Sequence, residues 1–183
     1  MKDILVHTCC ADCLLNTVQY LVENEQISSD SFLTVFFYNP NIHPRSEYLE
    51  RLKALKEILP KVEEHIKTKL VIPNYSPKEY FSKVLPVSTK VGERCIHCWE
   101  LRLKALFDYA KTNRFQYVAT TLLTSHYQNR KKIVEIGSVL EKEYKITFLK
   151  VNHLCNEKHK GFYKQNYCGC CFSLVEKYLD RNI

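Results

Sequence analysis

The stretch Phe32 to Tyr38 (FLTVFFY) is almost wholly apolar. A strand with one wet face alternates apolar and polar residues. A nearly continuous run needs both faces covered, as in a parallel sheet flanked by helices. Four further stretches read as strands: residues 3 to 7 (with Ile4-Leu5-Val6), Lys69 to Ile72, Phe115 to Thr120 and Ile146 to Val151. Helical spacing fills the gaps. Residues 14 to 24 carry Leu14, Leu15, Val18, Leu21 and Val22, and a second helix carries Tyr48, Leu49, Leu52, Leu55 and Leu59, with Pro60 expected to stop it. Pro77 opens a short helix with Tyr80, Phe81 and Val84. Cys95 to Ala110 is strongly periodic, Gln128 to Glu141 forms another helix, and Phe172 to Leu179 a last one. Strand and helix alternate throughout. That predicts an α/β fold, a mostly parallel sheet with helices on both faces. The 183 residues suffice for one such domain and are short for two, so residues 1–183 are expected to form a single α/β domain.

In that architecture the loops after strands gather at the carboxyl edge of the sheet, where ligands bind. The first of them is His7-Thr8-Cys9-Cys10-Ala11-Asp12-Cys13. The chain holds nine cysteines, an odd number, and eight of them cluster. Cys9, Cys10 and Cys13 form one group, Cys95 and Cys98 a second, and Cys168, Cys170 and Cys171 a third. Only Cys155 stands apart, and it reads as core. The opening residues Met1-Lys2-Asp3 run straight into a strand without a signal-peptide segment, and no apolar run approaches the roughly 20 residues of a membrane span. The expectation is a cytoplasmic chain, where clustered thiols point to metal or redox chemistry.

Cys95-Ile96-His97-Cys98 places two thiols three apart at a helix start, where free N–H groups favour thiolate. Alone it fits half a zinc site, a dithiol, or two structural cysteines. The first loop adds three thiols and Asp12. Five thiols exceed a tetrahedral zinc site and suit an iron–sulfur cluster, with Cys13 and Asp12 spare for a second role. Cys168-Gly169-Cys170 fits a strained, readily reduced disulfide or a pair of metal ligands. His7 reads as a satisfied core histidine, and His97 either supports the metal or faces solvent. Asn39, Asn41, Thr121 and Ser125 follow strands and are candidate substrate contacts, though such residues also cap turns and helices. A net charge of +7 points to an acidic partner. Arg130, Lys131, Lys132, Lys158, Lys160 and Lys164, with Phe162, Tyr163 and Tyr167 nearby, could grip an RNA backbone.

Five blocks in order, HTCCADC, FYNPNIHP, ERCIHC, TTLLTS and YKQNYCGCCFS, resemble the QueH family of epoxyqueuosine reductases over nearly the whole chain. The resemblance implies a fold similar to the PP-loop (HUP) class. Here cysteines occupy the loop where a PP-loop carries SGGxDS, so ATP binding through that loop is not supported. It also implies reduction of the epoxide of epoxyqueuosine at the tRNA wobble position to queuosine, the last step of queuosine synthesis. By position, Cys9, Cys10, Cys95 and Cys98 would hold a [4Fe–4S] cluster, and Cys168 and Cys170 would be a redox-active pair. Cys13, with Asp12, would serve an accessory mononuclear iron. Asp12 stands where the family's block usually carries proline. The implied partners are tRNA carrying epoxyqueuosine and an external donor of the ferredoxin or flavodoxin type. The C-terminal cysteine-bearing tail is expected to pack on the active site. The alternatives are a zinc-stabilised RNA-binding module and a thiol–disulfide oxidoreductase.

Overall fold

The computed structural model describes residues 2–152 and 161–179. Cys155, Lys158 and Lys160 lie outside them. Five strands, β1 (Asp3–His7), β2 (Phe32–Phe36), β3 (Lys67–Val71), β4 (Tyr117–Thr120) and β5 (Thr147–Phe148), form one sheet in the order β3-β2-β1-β4-β5. Every pairing is parallel. Six helices connect and follow them: α1 (Ala11–Glu23), α2 (Arg45–Glu63), α3 (Pro77–Val84), α4 (Glu93–Thr112), α5 (Arg130–Tyr144) and α6 (Cys171–Leu179). The α/β reading from hydrophobic pattern therefore holds.

β1 is central, and its Ile4, Leu5 and Val6 are all fully buried. The runs of α1 (Leu14, Val18, Leu21) and α4 (Leu103, Leu106, Phe107, Ala110) bury one face each in the same core. Truncating one of these, such as Leu103→Ala, would cost about 2–5 kcal/mol. α1 packs on α2, and α4 packs on α3 and α5. Right-handed crossovers put the first pair on one face of the sheet and the second set on the other. α5 approaches the edge strand closely at Gly137, where an added Cβ would lie 2.2 Å from the Phe148 ring. Glycine there costs helix propensity but is the residue that fits.

Some boundaries differ from the sequence reading. α1 starts at Ala11 rather than residue 14, so Asp12 and Cys13 sit in its first turn, with Cys10 as the N-cap. α2 runs through Pro60 to Glu63. A proline in the last turn sacrifices one N–H bond, and Ile58 and Val62, both buried beside it, hold the turn in place. β5 is short, although Leu149 N–H still reaches the Val118 carbonyl at 2.8 Å.

The chain reverses its winding direction between β1 and β4, which pair from Ile4↔Tyr117 to His7↔Thr120. Their carboxyl ends diverge there into α1 and into a short 3-10 turn, Thr121–Thr124. This crevice is the topological switch point of a doubly wound sheet.

Candidate functional site

A buried polar network ties the two strand ends together. The Cys9 N–H donates to Thr121 Oγ1 at 3.2 Å, and the same hydroxyl lies 3.4 Å from Cys9 Sγ. His7 Nδ1 is 2.9 Å from Thr120 Oγ1. Arg102, on α4, donates from Nε to His7 Nε2 at 3.3 Å and from Nη2 to Asn39 Oδ1 at 2.7 Å. Asn39 in turn donates from Nδ2 to the Thr8 carbonyl at 2.8 Å. Complete burial, reinforced by the Arg102 charge, holds His7 neutral with its pKa down to about 3. The same Nε2 lies 3.1 Å from the Tyr38 carbonyl, so the ring is held from β4, from the residues after β2 and from α4 at once.

On this network sit three thiols. The sulfurs of Cys9, Cys10 and Cys13 all lie within 4.8 Å of one another, at the N-terminal end of α1. Free helix N–H groups there favour negative charge. Hydrogen bonds from Cys10 and then Cys13 hold the Cys9 thiol well below its ordinary pKa, with Arg102 adding to the effect. Hydrogen bonds to Cys10 and Cys9, together with burial, push Cys13 up. Cys10 gains from its bond with Cys13, but its bond to Cys9, its burial and the Cys9 charge raise it overall. The trio thus carries its first negative charge on Cys9.

Two cavities open beside these thiols. The larger, about 500 Å³, is lined by Cys9, Cys10, Asp12 and Cys13 on one wall and by Lys164, Tyr167 and Cys168 on the other. Asp12 and Lys164 form an ion pair across it at 3.6 Å. The smaller, about 140 Å³, is lined by Cys95, Cys98, Cys168 and Cys170. Arg102 and Cys168 border both. Burial pushes the Cys98 thiol up to about 12 against the pull of the Arg102 charge. Burial also raises Cys95.

The tail reaches the cavity through α2. Arg51 donates from Nε to Glu47 Oε1 at 2.5 Å, and from its other nitrogens to the carbonyls of Cys168 (3.3 Å) and Tyr167 (3.2 Å). The Tyr163 hydroxyl donates to Glu47. The His43 N–H donates to the Gly169 carbonyl at 2.8 Å. Gly169 has φ +103°, and a Cβ there would meet Arg51 and Ile42 at 3.1 Å. Glycine lets the chain turn between the two cysteines while its backbone lies against Arg51. The Cys168 and Cys170 sulfurs are 3.5 Å apart, sharing a hydrogen bond. That bond, above all, brings Cys168 down to about 6, and it raises Cys170. Near neutral pH Cys168 is the thiolate of the pair.

All eight described cysteines are free. Soft thiolates grouped this closely, some of them buried, fit a thiophilic metal or an iron–sulfur centre better than an oxygen-ligated ion. The structure puts Cys13 in one group with Cys9 and Cys10, while Cys95 and Cys98 face the smaller cavity. Of the other sequence candidates, Ser125 lines the larger cavity and Asn41 the smaller. Asn39 and Thr121 lie behind the thiols as buried hydrogen-bond partners. His7 is the core histidine expected, and His97 pairs with Glu100 at 3.4 Å on the outer side of α4. Arg51 and Arg102 were not read from the sequence. For Arg102 the signal was present in the spacing: Cys95, Cys98 and Arg102 stand at i, i+3 and i+7 on one helical face.

These features define a doubly wound α/β protein with a thiol-rich, metal-competent centre at its switch point. Residues 4–176 match the family model described as epoxyqueuosine reductase QueH, and the chain belongs to that family. It is 33% identical to the epoxyqueuosine reductase QueH of Thermotoga maritima, over 97% of this chain and 93% of that protein. It is 30% identical to that of Dehalococcoides mccartyi, over 96% and 94%. Among solved structures it is similar in fold to a predicted subunit of tRNA methyltransferase from Methanocaldococcus jannaschii. That likeness has a TM-score of 0.50 and 13% identity, and covers 98% of this chain and 89% of the other.

Proposed function

We infer that this chain is an epoxyqueuosine reductase acting on tRNA, converting the epoxide of epoxyqueuosine to the alkene of queuosine. The reaction consumes two electrons and two protons and releases the oxygen as water. The observation that carries the reading is the junction of the two thiol-lined cavities at Cys168 and Arg102, in a chain of this family.

Cys9, Cys10, Cys95 and Cys98 would hold a [4Fe–4S] cluster, and Cys13 with Asp12 an accessory iron. Such a centre would supply one-electron transfer and a Lewis acid for the departing oxygen. The protein's own residues account for the rest. The larger cavity is roomy enough for a modified base turned out of the anticodon loop, and its polar wall (Ser125, His126, Gln128, Gln165 and Asn166) offers donors and acceptors to a hydroxylated ring. Tyr127, beside them, offers a surface for stacking. With Cys168 ionised, the Cys168–Cys170 pair holds two electrons and one proton, and the second proton comes from solvent. At 3.5 Å its sulfurs need little movement to reach the roughly 2.05 Å of a disulfide. Closing that bond releases the pair, and an external donor of the ferredoxin or flavodoxin type restores it. Lys131, Lys132 and Lys164 provide positive surface for the RNA backbone. Residues 1–183 work as one domain in this scheme, in the cytoplasm. No helix among the described residues is long and apolar enough to cross a membrane.

The test is anaerobic reconstitution with iron and sulfide, followed by assay on epoxyqueuosine-containing tRNA with a strong reductant. Queuosine should form, and Cys9→Ala and Cys95→Ala should each lose iron and activity. An iron-loaded protein that converts nothing would overturn the assignment of activity. Full iron content in both variants would overturn the ligand set.

A further inference from the structure

Arg102 is 1% exposed, and its guanidinium faces no carboxylate among the described residues. Its hydrogen-bond partners are the His7 imidazole and the Asn39 side-chain amide, neither of which is an anion. A guanidinium does not lose its proton in a protein, so it cannot escape burial by becoming neutral. Leaving such a charge uncompensated is strongly unfavourable. The carboxylates on the walls of the two cavities do not compensate it. Asp12 pairs with Lys164, and Glu176 with Arg94. Of the other two buried arginines here, Arg51 has Glu47 and Arg94 has Glu176. A positive charge therefore remains at the junction of the cavities. The groups that share the cavity walls with it are thiols, Cys9 in the larger cavity and Cys98 in the smaller.

We propose that Arg102 is the counter-charge and positioning residue of the thiolate-ligated centre, favouring its more negative, reduced state. The inference rests on the proposed iron–sulfur reading. One-electron reduction, with dithionite as donor in the experiment, adds one negative charge to the centre. A fixed positive charge at the boundary of both cavities stabilises the product of that step more than its reactant. His7 and Asn39 hold the guanidinium in place, and neither an imidazole nor an amide carries negative charge to cancel it.

The experiment is a redox titration of the reconstituted protein, followed by visible absorption and electron paramagnetic resonance, with iron counted per chain. Arg102→Gln should shift the reduction equilibrium at least tenfold against the reduced form, about 59 mV for one electron. Arg102→Lys, which keeps the charge, should stay near the wild-type potential. Asn39→Asp is the second route, because it sets a carboxylate against an intact Arg102. It should lower the potential in the same direction even where Arg102→Gln folds poorly. An unmoved potential in Arg102→Gln or Asn39→Asp protein with full iron would overturn the inference and leave the proposed activity standing. A wild-type protein that takes up no iron would overturn the iron–sulfur reading, and this inference with it.

Discussion

Arg51 and Arg102 are buried against the same cavity, from α2 and α4 respectively, and they differ in what faces them. Arg51 meets the Glu47 carboxylate at 2.5 Å and spends its remaining donors on the tail's carbonyls. Arg102 meets groups that carry no formal charge unless a thiol ionises. On the α2 side, charge is settled inside the protein, and the arginine acts as a clamp. On the α4 side, charge awaits a partner in the site. Burial of an arginine by itself therefore says little; the charge of its partners separates a structural role from a functional one.

The largest expected effect is on the clamp. Arg51→Ala strands Glu47 and releases the tail at Tyr167 and Cys168. It should cost about 3–5 kcal/mol, lowering the midpoint of thermal unfolding by roughly 10 °C in a chain this long. Glu47→Leu combined with Arg51→Met removes both charges and should cost less than Arg51→Ala alone. A double variant as unstable as the single would mean that the lost tail contacts, rather than the orphaned carboxylate, set the cost.

Next in size is Gly169→Ala. The residue combines a positive φ with Arg51 and Ile42 3.1 Å from where a Cβ would sit. Strain and displacement together should cost about 1–3 kcal/mol in chemical denaturation. In the background of Arg51→Ala the penalty should shrink, because the guanidinium no longer occupies that space. Equal penalties in both backgrounds would show that the backbone conformation alone is responsible.

Smaller still is Arg102→Gln in metal-free protein. It loses hydrogen bonds to His7 and Asn39 but also removes a buried charge with no carboxylate beside it. The two effects should nearly offset, for a net cost of about 1 kcal/mol by thermal unfolding. A loss as large as that of Arg51→Ala would erase the contrast between the two arginines.

The sheet was legible because its strands are written as apolar runs and its helices as amphipathic periods. FLTVFFY could belong only to a covered strand, and β2 is one. The three cysteine groups were legible by count and spacing. What the sequence hid was charge pairing. Nothing in RLKALKEIL marks Arg51 as turned inward, since it can lie along a wet helix face, and Arg102 is marked only by the face it shares with Cys95 and Cys98. That Glu47 and Arg51 stand at i and i+4 suggests an ordinary surface pair, and only the tail lying over them buries it. The start of α1 was read late because Ala-Asp-Cys carries no apolar period. Its capping position is a cysteine, outside the usual oxygen-bearing set.

The smallest effect tests the clamp side through His43, whose backbone N–H holds Gly169 while its ring packs on Tyr80 and Phe81. Both ring nitrogens are buried without a hydrogen-bond partner among the described residues. Burial holds the His43 pKa below the ordinary value of 6.5. As pH falls through 6.5 the unfolded chain takes up a proton that the folded chain refuses, so the residue removes stability on acidification. His43→Phe keeps the backbone bond and the ring packing while discarding the unpaired nitrogens. At pH 7.5 it should change stability by less than about 1 kcal/mol, in the stabilising direction. Thermal midpoints between pH 7.5 and pH 5 should then fall less steeply for His43→Phe than for the wild type. Parallel pH curves would mean that the ring finds water or a protein partner, and that this part of the clamp is wetter than its burial implies.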